Sequence, residues 1–155
     1  MVRPIAKLLK DDVKSIENFE ALMALGNLAM VNESTRGRML KDSDCIMQIE
    51  SYMFQDHQML RRAAVQCVLN LCQSEVQVKR FEERNDKMKY MVLCMGDGED
   101  QEVVKAAAGA VATLTSYSNL LCKKVYESTQ WESCFLNVLC SQVLFIPSWD
   151  QSIKK

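Results

Sequence analysis

The chain has 155 residues, 48% of them hydrophobic and 25% charged, and this balance excludes a disordered chain and a collagen. Nineteen Lys and Arg oppose 20 Asp and Glu, so the net charge is −1 and no basic excess is present to neutralise nucleic-acid phosphates. Only five Gly and two Pro are present, fewer turn-forming residues than an all-β fold of this length needs, and this scarcity predicts helices.

The first predicted elements lie in the N-terminal third of the chain. Residues 1–14 carry a short apolar stripe and are predicted to be the end of a preceding repeat. A unit spanning residues 15–55 follows, and its long helix begins at Ser15, whose hydroxyl can cap it. Asn32 is predicted to cap a short helix and Asp44 a medium one.

Two more units follow the same plan of a long, a short and a medium helix. In the second unit, residues 56–99, the predicted helices begin at Asp56 and cover 56–71, 76–81 and 87–95. In the third unit, residues 100–140, they cover 101–117, 120–126 and 130–140. Residues 141–155 form a divergent tail to which the sequence assigns no role.

The three units are repeats of one pattern. Residues 24–29 (ALGNLA), 67–72 (CVLNLC) and 110–115 (AVATLT) align at intervals of 43 residues. This period lies in the range of armadillo and HEAT repeats and outside that of ankyrin and tetratricopeptide repeats. Because each unit has three helices rather than two, we predict an all-α, armadillo-type right-handed α-solenoid of about three repeats.

Cysteine usage and apolar patterning limit the remaining chemistry. The seven Cys form no C-x-x-C pair and have irregular spacing, so we predict reduced, mostly buried thiols in a cytosolic protein and no metal or other cofactor. The N-terminus has no signal-peptide pattern. The longest apolar stretch, residues 135–149, contains polar residues and is shorter than the roughly 20 residues that span a bilayer, so we expect no membrane partner.

Nothing in the sequence predicts an enzyme. The single histidine, His57, lies at a predicted helix start and is expected to be exposed, and no cysteine is singled out as its nucleophilic partner. No Gly-rich phosphate loop is present. Residues 96–100 (GDGED) lack the ligand spacing of a calcium loop and are predicted to be an acidic turn.

The long helices are expected to line a protein-binding groove. An asparagine amide can bond both the N–H and the C=O of an extended peptide, and the pattern places one polar residue per repeat at this position: Asn27, Asn70 and Thr113. Further candidates for the groove are Met23, Gln66 and Tyr117. The alternative is that the asparagines bond within their own repeats near the helix C-termini.

Several motifs carry a family resemblance. They are residues 18–29 (NFEALMALGNLA), 50–54 (ESYMF), 61–64 (RRAA), 85–89 (NDKMK) and 106–109 (AAAG). In this order they resemble the UCS-domain myosin chaperones of animals, from about Val2 to Cys140.

The resemblance implies a cytosolic chaperone module that binds the myosin motor domain and assists its folding and assembly, in muscle and elsewhere. Full-length members recruit an ATP-dependent heat-shock chaperone through a tetratricopeptide domain. No 34-residue repeat of that kind occurs in this chain, so that partner is implied only through a domain absent here. The alternative function is a generic armadillo scaffold that binds another extended peptide.

Overall fold

The computed structural model describes residues 2–9 and 15–143, with the side chains of Asn85 and of residues 141–143 left aside. Within these residues the chain forms ten α-helices and no strand. In chain order they are α1 (Val2–Ala6), α2 (Ser15–Val31), α3 (Glu33–Lys41), α4 (Ser43–Tyr52), α5 (Gln58–Leu71), α6 (Glu75–Glu83), α7 (Asn85–Met95), α8 (Gln101–Tyr117), α9 (Asn119–Tyr126) and α10 (Trp131–Val143). The all-α prediction is confirmed, and the long, short and medium helices recur in the predicted order. The predicted tail lies almost entirely outside the described residues.

Several predicted helix starts differ from the structure by one or two residues, and those of α4 and α5 have an identifiable physical reason. Asn32 caps α3 as predicted, since its Oδ1 accepts a hydrogen bond from Thr35 N–H at 2.9 Å. The cap of α4 is Asp42 rather than Asp44: Asp42 Oδ1 accepts from Cys45 N–H at 3.2 Å, and Asp44 lies in the first helical turn. Both carboxylates are suited to capping, and the extended backbone at Asp42 decides between them.

The second long helix also begins later than predicted. It starts at Gln58 and not at Asp56, with His57 at the N-cap position. Arg61 Nη1 donates to the carbonyl oxygens of Gln55 at 3.1 Å and Asp56 at 3.3 Å, so the first-turn side chain of α5 holds the preceding residues in a turn.

The long helices α2, α5 and α8 pack side by side through small residues. A Cβ atom on Gly26 would lie 3.9 Å from Cys67, and one on Gly109 would lie 3.4 Å from Leu69 Cδ1. Five alanines of α5 and α8 are also buried: Ala63, Ala64, Ala106, Ala107 and Ala110. The small side chains at Gly26 and Gly109 therefore let neighbouring long helices approach closely.

The core runs continuously through the array between the long helices and the shorter ones. Its largest fully buried side chains include Leu22, Leu25, Ile49, Leu71 and Leu114. Five methionines also belong to it: Met39, Met53, Met88, Met91 and Met95. Thioether side chains fill irregular gaps in such a core, whereas Met23, Met47 and Met59 are exposed.

The turn at residues 96–100 joins the second and third repeats. Asp97 Oδ1 accepts a hydrogen bond from Asp100 N–H at 3.2 Å, which closes the predicted turn. Asp100, fully buried, then caps α8 by accepting from Glu102 N–H at 3.1 Å. Arg62 Nε, from α5, lies 2.8 and 2.9 Å from the two carboxylate oxygens of Asp100. One carboxylate thus starts a helix and ties it to the preceding repeat.

A second cross-repeat contact occurs twice along the array. Ser74, at the N-cap position of α6, donates its hydroxyl to Glu33 of α3 at 2.6 Å. Ser118, at the N-cap position of α9, donates to Glu82 of α6 at 2.5 Å. Neither serine hydroxyl makes a side-chain capping bond in its own helix, because each is directed to the short helix of the preceding repeat.

Candidate protein-binding face

We call the sides of α2, α5 and α8 that carry the predicted groove residues the long-helix face. It comprises the six residues that the sequence predicts for the groove: Met23, Asn27, Gln66, Asn70, Thr113 and Tyr117. Met23, Asn27, Gln66 and Tyr117 are exposed, Thr113 is half-buried and Asn70 is buried. Two residues each therefore come from α2, α5 and α8, but their surroundings differ.

The α2 part of the face is open to solvent. Met23 is 45% exposed, and Asn27, one helical turn further on, is also exposed. Glu20 is exposed as well, and its spacing from Met23 and Asn27 places it on the same side of the helix. This part of the face therefore combines a thioether, an amide and a carboxylate, and its charge is negative.

In the α5 part of the face, the side-chain amide of Asn70 already makes two hydrogen bonds within the protein. Asn70 Nδ2 donates to the carbonyl oxygen of Gly26 in α2 at 3.1 Å. Its Oδ1 accepts a hydrogen bond from Gln66 Nε2 at 3.2 Å. The structure thus brings Gln66 and Asn70 together and joins them to the neighbouring repeat, a cross-repeat partner that sequence reasoning missed.

The α8 part of the face is the least polar toward solvent. Thr113 donates its hydroxyl to the carbonyl oxygen of Gly109, one turn back in the same helix, at 2.8 Å. Tyr117 closes the helix and is 59% exposed. A large aromatic ring at this exposure is available for packing against a partner.

A concave region that sequence reasoning missed lies between the medium helices α4 and α7. It is a cleft of about 760 Å³ whose walls carry Phe54 and Tyr90, edge to face with ring centroids 5.4 Å apart. Lys87 and Glu50 form an ion pair across it. Glu50, Phe54 and Lys87 belong to the motifs at residues 50–54 and 85–89, but nothing in those motifs predicts that the two segments meet in a cleft.

In the part of the chain that the structure describes, the residues that could support metal binding are not grouped together. His57 is exposed at the start of α5, and burial raises the pKa of the Cys67 thiol to about 12 and that of Cys94 to about 11. No cluster of His, Cys, Asp and Glu suited to a metal ion occurs among residues 2–9 and 15–143. Within the same residues no helix is both long and apolar enough to cross a membrane.

Sequence comparison identifies the relatives of this array. The chain is 43% identical over 141 residues to unc-45 homolog B of Danio rerio, a match that covers 90% of this chain and 15% of that protein. This chain is a homologue of the UNC-45 proteins. The resemblance predicted from the repeat motifs is confirmed, and the chain spans about one sixth of the length of the UNC-45 proteins it matches. No family model matches the chain.

Solved UNC-45 structures share the architecture. UNC-45 from Drosophila melanogaster superposes with a TM-score of 0.82 at 41% identity, covering 95% of this chain and 18% of that one. A structure presented as showing the molecular features of the UNC-45 chaperone critical for binding and folding muscle myosin has a TM-score of 0.79 at 34% identity, covering 86% of this chain and 15% of that one.

A designed armadillo repeat protein in complex with the peptide (KR)4 matches by fold alone. Its TM-score is 0.72 at 20% identity, over 89% of this chain and 62% of that one. Together with the UNC-45 structures, this match confirms the predicted armadillo-type solenoid.

Proposed function

We propose that this chain is a non-enzymatic, cytoplasmic chaperone module that binds the myosin motor domain and assists its folding and assembly. The observation that carries the proposal is the homology over 86% of the chain to an UNC-45 structure presented as binding and folding muscle myosin. Recruitment of a heat-shock chaperone belongs, in this proposal, to a domain outside these 155 residues.

The long-helix face is the proposed contact surface for myosin. Exposed Met23 and Tyr117 offer apolar contact at its two ends, and the amide of Asn27 lies next to the first of them. An extended segment crossing the long helices would gain apolar burial from the side chains and hydrogen bonds from the amides. The hydrogen bonds to the client backbone depend little on sequence, which suits a client that is bound while incompletely folded, whereas the apolar contacts at Met23 and Tyr117 depend on the client's side chains and would supply selectivity for myosin.

A binding titration tests the proposal. The chain should bind a muscle myosin motor domain in the presence of excess unrelated unfolded protein and should reduce aggregation of the motor domain on heating. Tyr117→Ala should weaken binding about 5- to 30-fold, the effect of removing an aromatic anchor worth about 1–2 kcal/mol.

Phe54→Ala provides the matched control. Phe54 is 53% exposed, close to the 59% of Tyr117, but lies in the cleft between α4 and α7. Binding should be unchanged in this variant. If Phe54→Ala loses affinity for the motor domain and Tyr117→Ala does not, the contact surface is the cleft and not the long-helix face. If the chain binds any unfolded protein with equal affinity, the result favours a generic scaffold instead of a myosin chaperone.

A further inference from the structure

The cleft between α4 and α7 has no part in the proposed function. It lies inside the array and not at one of its ends, since α4 also contacts α1 and α7 also contacts α10. Helix α7 packs much more closely against α10 than against α4, and the wider gap between α4 and α7 is the cleft. The neighbouring repeats are therefore present and leave it open.

Apolar side chains line the cleft and are accessible from outside. Those on its walls are Met47, Phe54, Tyr90 and Leu93, each close to half exposed. Beneath them lie buried apolar side chains, among them the thioether of Met91, a side chain that adapts its shape to what it contacts. Covering such a surface with another apolar surface is favourable, so the cleft is suited to a partner.

We propose that the cleft binds one amphipathic α-helix of a partner protein distinct from the client. Helix α7 has 11 residues, about three turns, and provides a wall of matching length. Tyr90 and Leu93 are three residues apart on one wall, and Met47 and Phe54 are seven apart on the other. An amphipathic helix presents apolar side chains at the same one-turn and two-turn intervals.

The backbone of the partner favours a helix over an extended segment. Among residues 2–9 and 15–143 the structure has no strand, so no strand edge is available to pair with an extended peptide. The charged pair within the cleft, Glu50 and Lys87, is already used, since the two side chains bind each other. An extended segment would therefore leave N–H and C=O groups unpaired against apolar walls, whereas a helix satisfies its own.

The two walls of the cleft run in the same direction. Glu50 on α4 pairs with Lys87 on α7. Further along both walls, Phe54 contacts Tyr90. Helices α4 and α7 are therefore parallel, and their C-termini, which carry partial negative charge, lie at the same end of the cleft.

The end of the cleft at these C-termini is acidic. An adjoining hollow of about 420 Å³ is lined there by Asp97 and Glu99. Arg61 lies 3.8 Å from Asp97 and offsets its charge, whereas among the described residues no cation pairs with Glu99. At the other end Arg84 and Asp86 offset each other. A helix with Lys or Arg in its first turn therefore docks with its N-terminus beside Glu99, antiparallel to α4 and α7.

The cleft opens on the side of the array opposite the long-helix face. Val68 of α5 lines the cleft, whereas Gln66 and Asn70 of the same helix belong to the long-helix face. Each of them is two residues from Val68, about 200° around a helix of 3.6 residues per turn. The partner helix and the client therefore bind to different sides, and each should bind while the other is present.

Two synthetic peptides of identical composition test the proposal. Each has about 14 residues, with leucines at i, i+4, i+7 and i+11 on a background of alanine and glutamine. The first peptide carries lysines in its first turn and glutamates in its last, and the second has these charges exchanged. In fluorescence anisotropy titrations the first peptide should bind about fivefold more tightly, the effect expected of charge and dipole interactions at a surface. Because the second peptide is the more helical in isolation, helicity cannot explain that order.

Variants of the chain locate the bound peptide. Phe54→Ala and Tyr90→Ala should each weaken binding of the first peptide about 5- to 30-fold. Tyr117→Ala, which removes a similarly exposed ring from the long-helix face, should leave it unchanged. Glu99→Gln should reduce the preference for the first peptide, and Glu17→Gln, exposed in the first turn of α2, should not. Urea titrations should show each variant to be folded at the temperature of measurement.

Four results would overturn the proposal. They are equal affinities for the two peptides, no binding of either peptide, a loss in Tyr117→Ala that Phe54→Ala does not share, and competition between the first peptide and the muscle myosin motor domain. A lower average mass of Phe54→Ala than of the wild-type chain in light scattering would also contradict it, because a second copy of the chain would then fill the cleft. The peptide titrations contain no myosin, so a failure of the proposed function leaves their outcome unaffected.

Discussion

At the scale of single residues, burial decides the chemistry of the cysteines. Five thiols are buried and two, Cys122 and Cys140, are exposed. Burial disfavours the thiolate, and it raises the pKa of Cys45 and of Cys67 to about 12 from an ordinary 9.0. The buried thiols are therefore protonated at neutral pH and serve as small apolar side chains in the core.

The raised thiol pKa predicts a loss of stability in alkali. Above pH 9.0 the unfolded chain ionises its thiols while the folded chain keeps Cys67 protonated up to about pH 12, so the free energy of unfolding falls as pH rises through this window. Between pH 8 and pH 10 each such thiol should cost about 1.4 kcal/mol. Urea titrations at both pH values measure how far the free energy of unfolding falls between them. In Cys67→Ala this fall should be smaller than in the wild-type chain by about that amount. An identical loss in the two proteins would contradict the assignment.

At the scale of the elements, one carboxylate combines two roles. Asp100 accepts the N–H of Glu102 at the start of α8 and faces the guanidinium of Arg62 in α5 at 2.8 Å. The turn that ends one repeat is thus also the joint to the next. The Asp100 carboxylate is fully buried, whereas Arg62 is partly solvated. If the ion pair between them is broken, the unfavourable free energy therefore comes mainly from the unpaired, buried charge of Asp100.

Substitution of Asp100 should separate the two roles. Asp100→Ala removes the cap, worth about 1 kcal/mol, and a charge-assisted pair, so it should lower the free energy of unfolding by about 2–4 kcal/mol. Asp100→Asn keeps an oxygen that can cap α8 and should lose about half as much. Urea unfolding of both variants checks this, with Glu99→Ala, an exposed carboxylate in the same turn, as a control expected to change little. Equal losses in the two Asp100 variants would show that the cap contributes nothing.

The helices were more predictable than their ends. The third long helix is found at Gln101–Tyr117, the residues predicted for it, because its apolar stripe and its small residues repeat a pattern seen twice before. The start of α4 was not predictable, since Asp42 and Asp44 are both good caps and only the backbone conformation separates them.

The candidate site was predictable in position and not in environment. The recurrence makes Asn27 and Asn70 equivalent along the chain. The burial of Asn70 depends on α2, whose Gly26 carbonyl lies 44 residues earlier in the chain, and sequence equivalence carries no information about that neighbour. The cleft between α4 and α7 was not predicted for a related reason: it results from how the two helices are spaced, and the motifs that contain its residues carry no information about that spacing.

At the scale of the whole molecule, both ends of the described array carry exposed apolar side chains. On α2 these are Met30 and Val31, 64% and 65% exposed. At the other end Tyr126 and Phe135 are exposed on either side of the half-buried Trp131, with ring centroids 5.1 and 6.0 Å from that of Trp131. In a repeat array such faces are covered by neighbouring repeats, and stability depends on those interfaces.

The uncovered faces predict self-association. Light scattering should show an average mass that rises with concentration, and Leu136→Glu combined with Leu139→Glu, two exposed positions on α10, should reduce the rise. Val76→Glu, exposed on α6 of the middle repeat, is the matched control and should leave it unchanged. Extension by one authentic repeat should raise the melting temperature. A monomer at all concentrations would contradict the prediction.

The cross-repeat hydrogen bonds also influence the folding rate of the chain. Those described for the joints and the long-helix face connect residues 36 to 44 apart, from Ser118 with Glu82 to Asn70 with Gly26. Each joint thus closes a chain segment of about one repeat, and the entropy of closure does not grow as repeats are added. Contact order, relative to length, falls with every repeat, so assembly can spread from neighbour to neighbour and we expect folding as rapid as that of helical proteins with mainly local contacts.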